Sequence, residues 1–125
     1  MIFDTDVLIW YLRGNAKAAR TLDRASDHQL SIVSFIELLQ GARNRDEIRI
    51  CKRFLNDCGF QILPITENIG HRAAVYVEEY VLSHGICLAD ALIAATAAEH
   101  SLPLCTGNTR HYKVISEIEL IPFKP

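Results

Sequence analysis

Residues 1–10 read MIFDTDVLIW, and two aspartates, Asp4 and Asp6, interrupt an otherwise apolar run. A charge in such surroundings is costly unless it is paired, capped or bound to a cation. Met1–Phe3 has the look of a short buried strand. Val7–Arg13 reads as a helix closed by Gly14. The acids therefore sit at a strand-to-helix junction, where either can cap the helix that follows or serve a polar site.

The pattern continues outward. Asn15 can cap a second helix through about Ala25, and Gln29–Val33 is strand-like. Ser34 is expected to cap a helix running through FIELLQGA, with Glu37 at capping-box spacing. Asp46–Cys58 is a charged amphipathic helix closed by Gly59, and Phe60–Pro64 a strand. Thr66 caps a long helix to about His84, followed by Gly85. Leu88–His100 is an Ala-rich helix, Leu102–Cys105 a strand, TGNTRH a turn and Ile118–Ile121 a last strand. Strands separated by helices predict an α/β fold: a three-layer α/β/α sandwich around a central, mainly parallel sheet.

The 125 residues suit one domain spanning 1–125. A net charge of −2 lacks the bulk basic signature of a nucleic-acid binder, so any basic surface must be local. Cys51, Cys58, Cys87 and Cys105 have neither metal-binding nor disulfide-framework spacing and are expected as reduced thiols. No run reaches the roughly 18 apolar residues of a membrane span, and no charged-then-apolar leader precedes the first strand. A cytoplasmic protein is the expectation.

Ligands of open α/β sheets bind outside the carboxyl ends of the strands. Asp4 follows the first strand, and Glu37 lies a helical turn past the second. Asp90 opens the Ala-rich helix, while Thr106, Gly107 and Asn108 follow the strand after it. Each acid has an ordinary capping or dipole role open to it. Yet Glu37 is flanked by Phe35, Ile36, Leu38 and Leu39, and Asp90 lies in ICLADALIAATAA. Neither belongs on a fully solvated face. Two carboxylates about 4 Å apart repel by about 4 kcal/mol at an effective dielectric near 20, so convergence calls for protonation or a cation. Oxygen donors favour Mg²⁺ or Mn²⁺, and such a site suits phosphodiester hydrolysis.

MIFDTDVLIWYLRG, SIVSFIELLQGA and LADALIAATAAEHSLPLCTGNTRHYKVI occur in this order over essentially the whole chain. Together they resemble the PIN-domain ribonucleases of the VapC toxin type. The resemblance implies a PIN-like sandwich, a Mg²⁺- or Mn²⁺-dependent endoribonuclease, a homodimer and a cognate antitoxin that blocks the site. It makes Asp4, Glu37 and Asp90 the catalytic and metal-binding acids, with Thr106 a polar neighbour. Asp6 stands where the family often has Asn, and supports the site. The last motif often carries a fourth acid at the position of Asn108 or His111. Here Asn108 can ligate or hold a water and His111 can contact phosphate, leaving one-metal chemistry at least as open as two-metal.

For RNA, one basic stripe comprises Arg13, Lys17, Arg20 and Arg24. A second comprises Arg45, Arg49, Lys52 and Arg53, with Arg43 before it and Asp46 and Glu47 diluting it. The second is favoured because it follows the Glu37 helix, making Arg43, Arg45 and Arg49 candidate RNA contacts beside His111. Trp10, Tyr11, Phe35 and Tyr112 are either base-stacking or core residues. Two other readings stay open. FDTDVL also resembles the nucleophile motif of haloacid-dehalogenase-type phosphatases, and a PIN-like module can bind without turnover.

Overall fold

The computed structural model describes residues 1–125. Its elements in chain order are β1 (Ile2–Phe3), α1 (Thr5–Leu12), α2 (Ala16–Arg24), β2 (Gln29–Ser31), α3 (Ile32–Gln40), α4 (Arg45–Asp57) and β3 (Gln61–Leu63). Then come α5 (Glu67–His84), α6 (Leu88–His100), β4 (Leu104–Thr106), α7 (Thr109–Tyr112) and β5 (Leu120–Pro122). The five strands form one sheet in the order β3-β2-β1-β4-β5, and every neighbouring pair is parallel. Strand order reverses between β1 and β4. At such a switch point the loops leaving the two strands diverge and open a crevice at their carboxyl ends.

Alternation along the short strands builds two cores. Ile2 and Leu104 join Leu63, Ile69, Ala73, Tyr76, Tyr112 and four alanines of α6, Ala91, Ala94, Ala95 and Ala97, on one face. Phe3 and Cys105 join Val7, Leu8, Leu22, Leu38, Phe54 and Phe123 on the other. Both faces are covered by helices, giving the expected α/β/α layers. The small side chains of α6 let it pack closely: Ala91, Ile93, Ala94, Ala95, Thr96 and Ala97 are all buried. Ala95→Leu is therefore expected to overpack this layer and cost about 1–3 kcal/mol, read as a lower urea midpoint with unchanged slope. No helix is long and apolar enough to cross a membrane.

The caps at Asn15, Thr66 and Gly85 form as expected. Asn15 accepts from the Ala18 N–H, Thr66 from the Ile69 N–H, and Gly85 adopts φ 62°. Three boundaries differ in ways that matter. The first helix begins at Thr5 rather than Val7, with Asp4 as its N-cap. The third begins at Ile32 with Ser31 as N-cap, its Oγ accepting from the Val33 N–H at 3.1 Å. Ser34, the expected cap, is fully buried inside the helix. Pairing of Ser31 with Leu63 carries β2 only to Ser31, so the chain turns three residues earlier than the capping-box spacing suggests. β4 starts two residues later than expected and ends one later, so that it includes Thr106. Part of the TGNTRH turn is the short helix α7.

Candidate active site

Asp4 occupies the switch point. Its Oδ1 accepts from the Thr5 N–H at 2.8 Å, and its Oδ2 accepts from the Thr106 hydroxyl at 2.7 Å, bridging the ends of β1 and β4. The residue is 4% exposed. Burial, reinforced by the neighbouring charges of Asp6 and, less, Asp90, pushes its carboxyl up to about 6 against the pull of the Thr106 and Thr5 hydrogen bonds.

Asp6 lies in the first turn of α1. Its Oδ1 accepts from the Val7 N–H at 2.8 Å and its Oδ2 from the Gly107 N–H at 2.9 Å. Burial raises its pKa, and Asp90 adds to the rise. A Cβ at residue 107 would lie 2.6 Å from Asp6 Oδ2, so glycine there admits this close approach.

Asp90, in the first turn of α6, receives the Tyr112 hydroxyl on Oδ1 at 3.1 Å. His111 Nδ1 lies 3.2 Å from its Oδ2. Glu37 comes from α3. Thr5 Oγ1 lies 2.7 Å from Glu37 Oε1 and 2.9 Å from Ser34 Oγ. A hydroxyl has one proton, so Thr5 donates to the carboxylate and accepts from Ser34. The buried serine thus anchors the threonine that holds Glu37.

Asp6 and Asp90 are near enough to raise the pKa of Asp4, and Asp90 that of Asp6, whereas Glu37 is tied in through Thr5. No three His, Cys, Asp or Glu side chains are gathered tightly enough to hold a metal ion by themselves. The result is an open set of oxygen donors with one imidazole, not a closed cage. Such a set fits Mg²⁺, which typically takes one or two carboxylates and keeps several waters. The unrelieved repulsion on buried Asp4 is what a cation would remove.

Thr5 and Ser34 are not readable as site residues from the sequence, where Tyr112 reads as a base-stacking or core residue. Tyr112 is fully buried, and burial followed by the charges of Asp4 and Asp90 raises its hydroxyl pKa far above the usual value. It is a core residue with a polar tip in the site, not a stacking platform. Tyr11 likewise packs on Phe54, ring centroids 4.5 Å apart. Asn108 N-caps α7 without a side-chain cap bond, and its N–H donates to Thr106 Oγ1 at 3.0 Å. In the basic stripe, Arg43 pairs with Glu47 at 2.9 Å and Arg49 with Asp46 at 3.0 Å, while Arg45 is exposed. A groove of about 660 Å³ between α1, α3 and α4 is lined by Ile9, Leu12, Leu38 and Ile50, with Arg13, Arg43 and Glu37.

The PIN-domain family profile matches residues 1–116. The chain belongs to the PIN-domain family. This assignment displaces the aspartate-nucleophile phosphatase reading. Among curated relatives, Ribonuclease VapC10 of Mycobacterium tuberculosis is 34% identical over 123 residues, covering 95% of this PIN domain's chain and 90% of the relative. A toxin–antitoxin complex from Klebsiella pneumoniae contains a chain of the same fold, with TM-score 0.83 and 27% identity over 99% of this chain and 98% of that one. FitAcB from Neisseria gonorrhoeae aligns with TM-score 0.74 and 27% identity, covering 96% and 95% of the two chains.

Proposed function

We propose that this chain, as a single PIN-like nuclease domain over 1–125, is the toxin of a toxin–antitoxin pair and hydrolyses RNA phosphodiester bonds as a Mg²⁺- or Mn²⁺-dependent endoribonuclease. The observation that carries the reading is Asp4: a buried carboxylate at the strand switch point, locked by Thr5 and Thr106 and facing the charges of Asp6 and Asp90. The 34% identity to a VapC ribonuclease over nearly the full length supplies the substrate class.

In this reading Asp4 and Asp90 are the ligands, with Glu37 completing the acid set. A bound divalent cation would lower the pKa of water and neutralise charge developing on the phosphate. The chain's own groups do the positioning. Two donors stop the Asp4 carboxylate from rotating. Thr5 engages one oxygen of Glu37, leaving Oε2 without a protein hydrogen bond and available to orient water. Tyr112 fixes Asp90. Asp6 ties the start of α1 to the loop after β4, so the two sides of the crevice keep their spacing. Arg43, Arg45 and Arg49 of the α4 region, with His111, are the proposed phosphate contacts. Cleavage of a mixed panel of tRNA, rRNA fragments and single-stranded DNA tests the activity. RNA cutting is expected with Mg²⁺ or Mn²⁺ and none with EDTA; cutting that is indifferent to EDTA would remove the metal from the reading.

The antitoxin is assigned to the apolar groove between α1, α3 and α4, which reaches Glu37 and carries Arg13 and Arg43. An apolar segment with acidic groups would fill it and cover the site. The homodimer is assigned to the tip of the α5–α6 hairpin, where Leu82 is 98% and Leu88 72% exposed. Burying such side chains releases about 25 cal/mol per Å². Leu82→Glu is therefore expected to turn a dimer into a monomer in light scattering after gel filtration, with little change in melting temperature. A dimer that persists would move the interface elsewhere. The cytoplasm is the compartment this function requires, since that is where its RNA substrates are.

A further inference from the structure

We propose that the α1–α2 hairpin is a track for a single-stranded stretch of RNA leaving the acid site, with a base stacked on Trp10 and phosphates held by Lys17, Arg20 and Arg24. The inference rests on the ribonuclease reading above and concerns how that substrate is held.

The track begins beside the acids. Asp6, Trp10 and Arg13 recur at i, i+4 and i+7, so they share one face of α1. Four residues of helix rise about 6 Å, which sets Trp10 one turn from the contact between Asp6 and Gly107. The N-terminal end of α2 meets the same rim. Lys17 Nζ donates to the Pro125 oxygen at 3.4 Å. Two residues earlier, the Phe123 carbonyl oxygen is 3.4 Å from where a Cβ would stand on Gly107. Lys124, between them in the chain, is exposed. A strand leaving the crevice on the Asp6 side therefore meets Trp10 and Lys17 first.

The cations of α2 are free to take phosphate. Lys17, Arg20 and Arg24 recur at i, i+3 and i+7 and all three are exposed. No ion pair engages them or Arg13, and Asp23, the one acid of α2, pairs with none of them. The α4 stripe differs, because Glu47 and Asp46 already engage Arg43 and Arg49. On a chain of net charge −2, the α2 row is a local concentration of positive charge complementary to a phosphate backbone. Its seven residues span about 10 Å. A stacked strand carries one phosphate per about 3.4 Å, so the row matches about three phosphates.

Trp10 supplies the second element. It is half-buried, and the guanidinium carbon of Arg13 lies 5.6 Å from its ring centroid. Arg13 is itself exposed, and an exposed cation–π contact is weaker than base–aromatic stacking. A base can therefore take the ring face while the displaced guanidinium moves to a neighbouring phosphate. An aromatic surface beside a cationic row holds unpaired strands, since a duplex keeps its bases stacked on one another.

Trp10 is the only tryptophan of the chain, so its fluorescence reports the contact directly. The probe is a short unstructured RNA, compared with the same sequence in a duplex and with an oligoglutamate peptide. Each is added to the full-length Asp4→Asn protein in EDTA, which keeps the RNA intact. The single strand is expected to quench Trp10, and the duplex to leave its emission unchanged. The slope of log affinity against log salt should fall by about 2 when Lys17→Gln, Arg20→Gln and Arg24→Gln are combined, at about 0.7 per phosphate contact. The three side chains are exposed, so the combined variant keeps its fold. Wild-type RNA cleavage that depends on Asp4, together with an unquenched Trp10 or an unchanged salt slope, would overturn the track and leave the nuclease reading standing. RNA neither bound nor cut would overturn both. Quenching by oligoglutamate but not by RNA would give this face to an acidic protein partner and overturn the inference.

Discussion

Asp4→Asn is expected to abolish RNA cleavage and, in metal-free buffer at pH 7.5, to raise the melting temperature. The two effects have one cause. Asp4 is buried with Asp6 and Asp90 nearby, which lifts its pKa from 3.8 to about 6. A carboxylate whose folded pKa exceeds its unfolded value binds protons more tightly in the folded state. Its penalty is absent below about pH 4, grows as pH rises, and is complete above about pH 6. At 1.36 kcal/mol per pKa unit this is about 3 kcal/mol of destabilisation at neutral pH. Asn caps helices as well as Asp does, so the α1 start survives. The lost attraction of a charge for the helix N-terminus returns about 0.3–1 kcal/mol. The net gain corresponds to roughly 5–10 °C. At pH 4.5 the difference between variant and wild type should shrink toward zero. Cleavage should drop by at least about 10²–10³-fold, the scale of losing one strong electrostatic contact to the reacting group. A variant that melts lower than wild type at pH 7.5 would mean the hydrogen bonds at Asp4 outweigh its buried charge. A variant that still cuts RNA would move the active site elsewhere.

This balance explains why the acids were legible in the sequence while their supports were not. Asp4, Glu37 and Asp90 stand out because each interrupts an apolar run. Thr5 and Ser34 carry no such signal: a hydroxyl beside apolar residues is ordinary, and only the fold brings Thr5 between Ser34 and Glu37. Ser34 misled because its spacing to Glu37 imitates a capping box, while the register of β2 against β3 decides where α3 begins. Sheet order was not readable from strands of two or three residues, too short to display alternation when both faces are buried. The dilution of the α4 stripe by Asp46 and Glu47 was readable; Asp46 pairs with Arg49 three apart on the helix, whereas Arg43 precedes the cap Asn44 and reaches Glu47 from outside the helix. The fold class followed from the sequence of elements, but the closeness of α7 to Asp90 did not, because RHYK reads as polar turn.

Tyr112 tests that closeness. Tyr112→Ala is expected to cost about 3–5 kcal/mol, because the ring is fully buried in the α5–α6–α7 core. That is a large part of the about 5–15 kcal/mol available to a domain, so the variant should unfold at markedly lower urea and lose activity by unfolding. Tyr112→Phe separates packing from positioning. It keeps the ring and removes only the hydroxyl that holds Asp90 Oδ1 at 3.1 Å. Asp90 is partly exposed, so water replaces the lost donor and stability should fall by only about 1 kcal/mol. Cleavage should nevertheless drop about tenfold, the scale of removing a group that orients a ligand, with substrate affinity unchanged. Wild-type cleavage by Tyr112→Phe would mean that α7 serves Asp90 only through His111. A wild-type urea midpoint for Tyr112→Ala would mean the ring is not the anchor of α7. If the phenylalanine variant folds normally and cuts slowly, the buried tyrosine ties the stability of the core to the aim of Asp90. Sequence change at that position would then be limited by both at once.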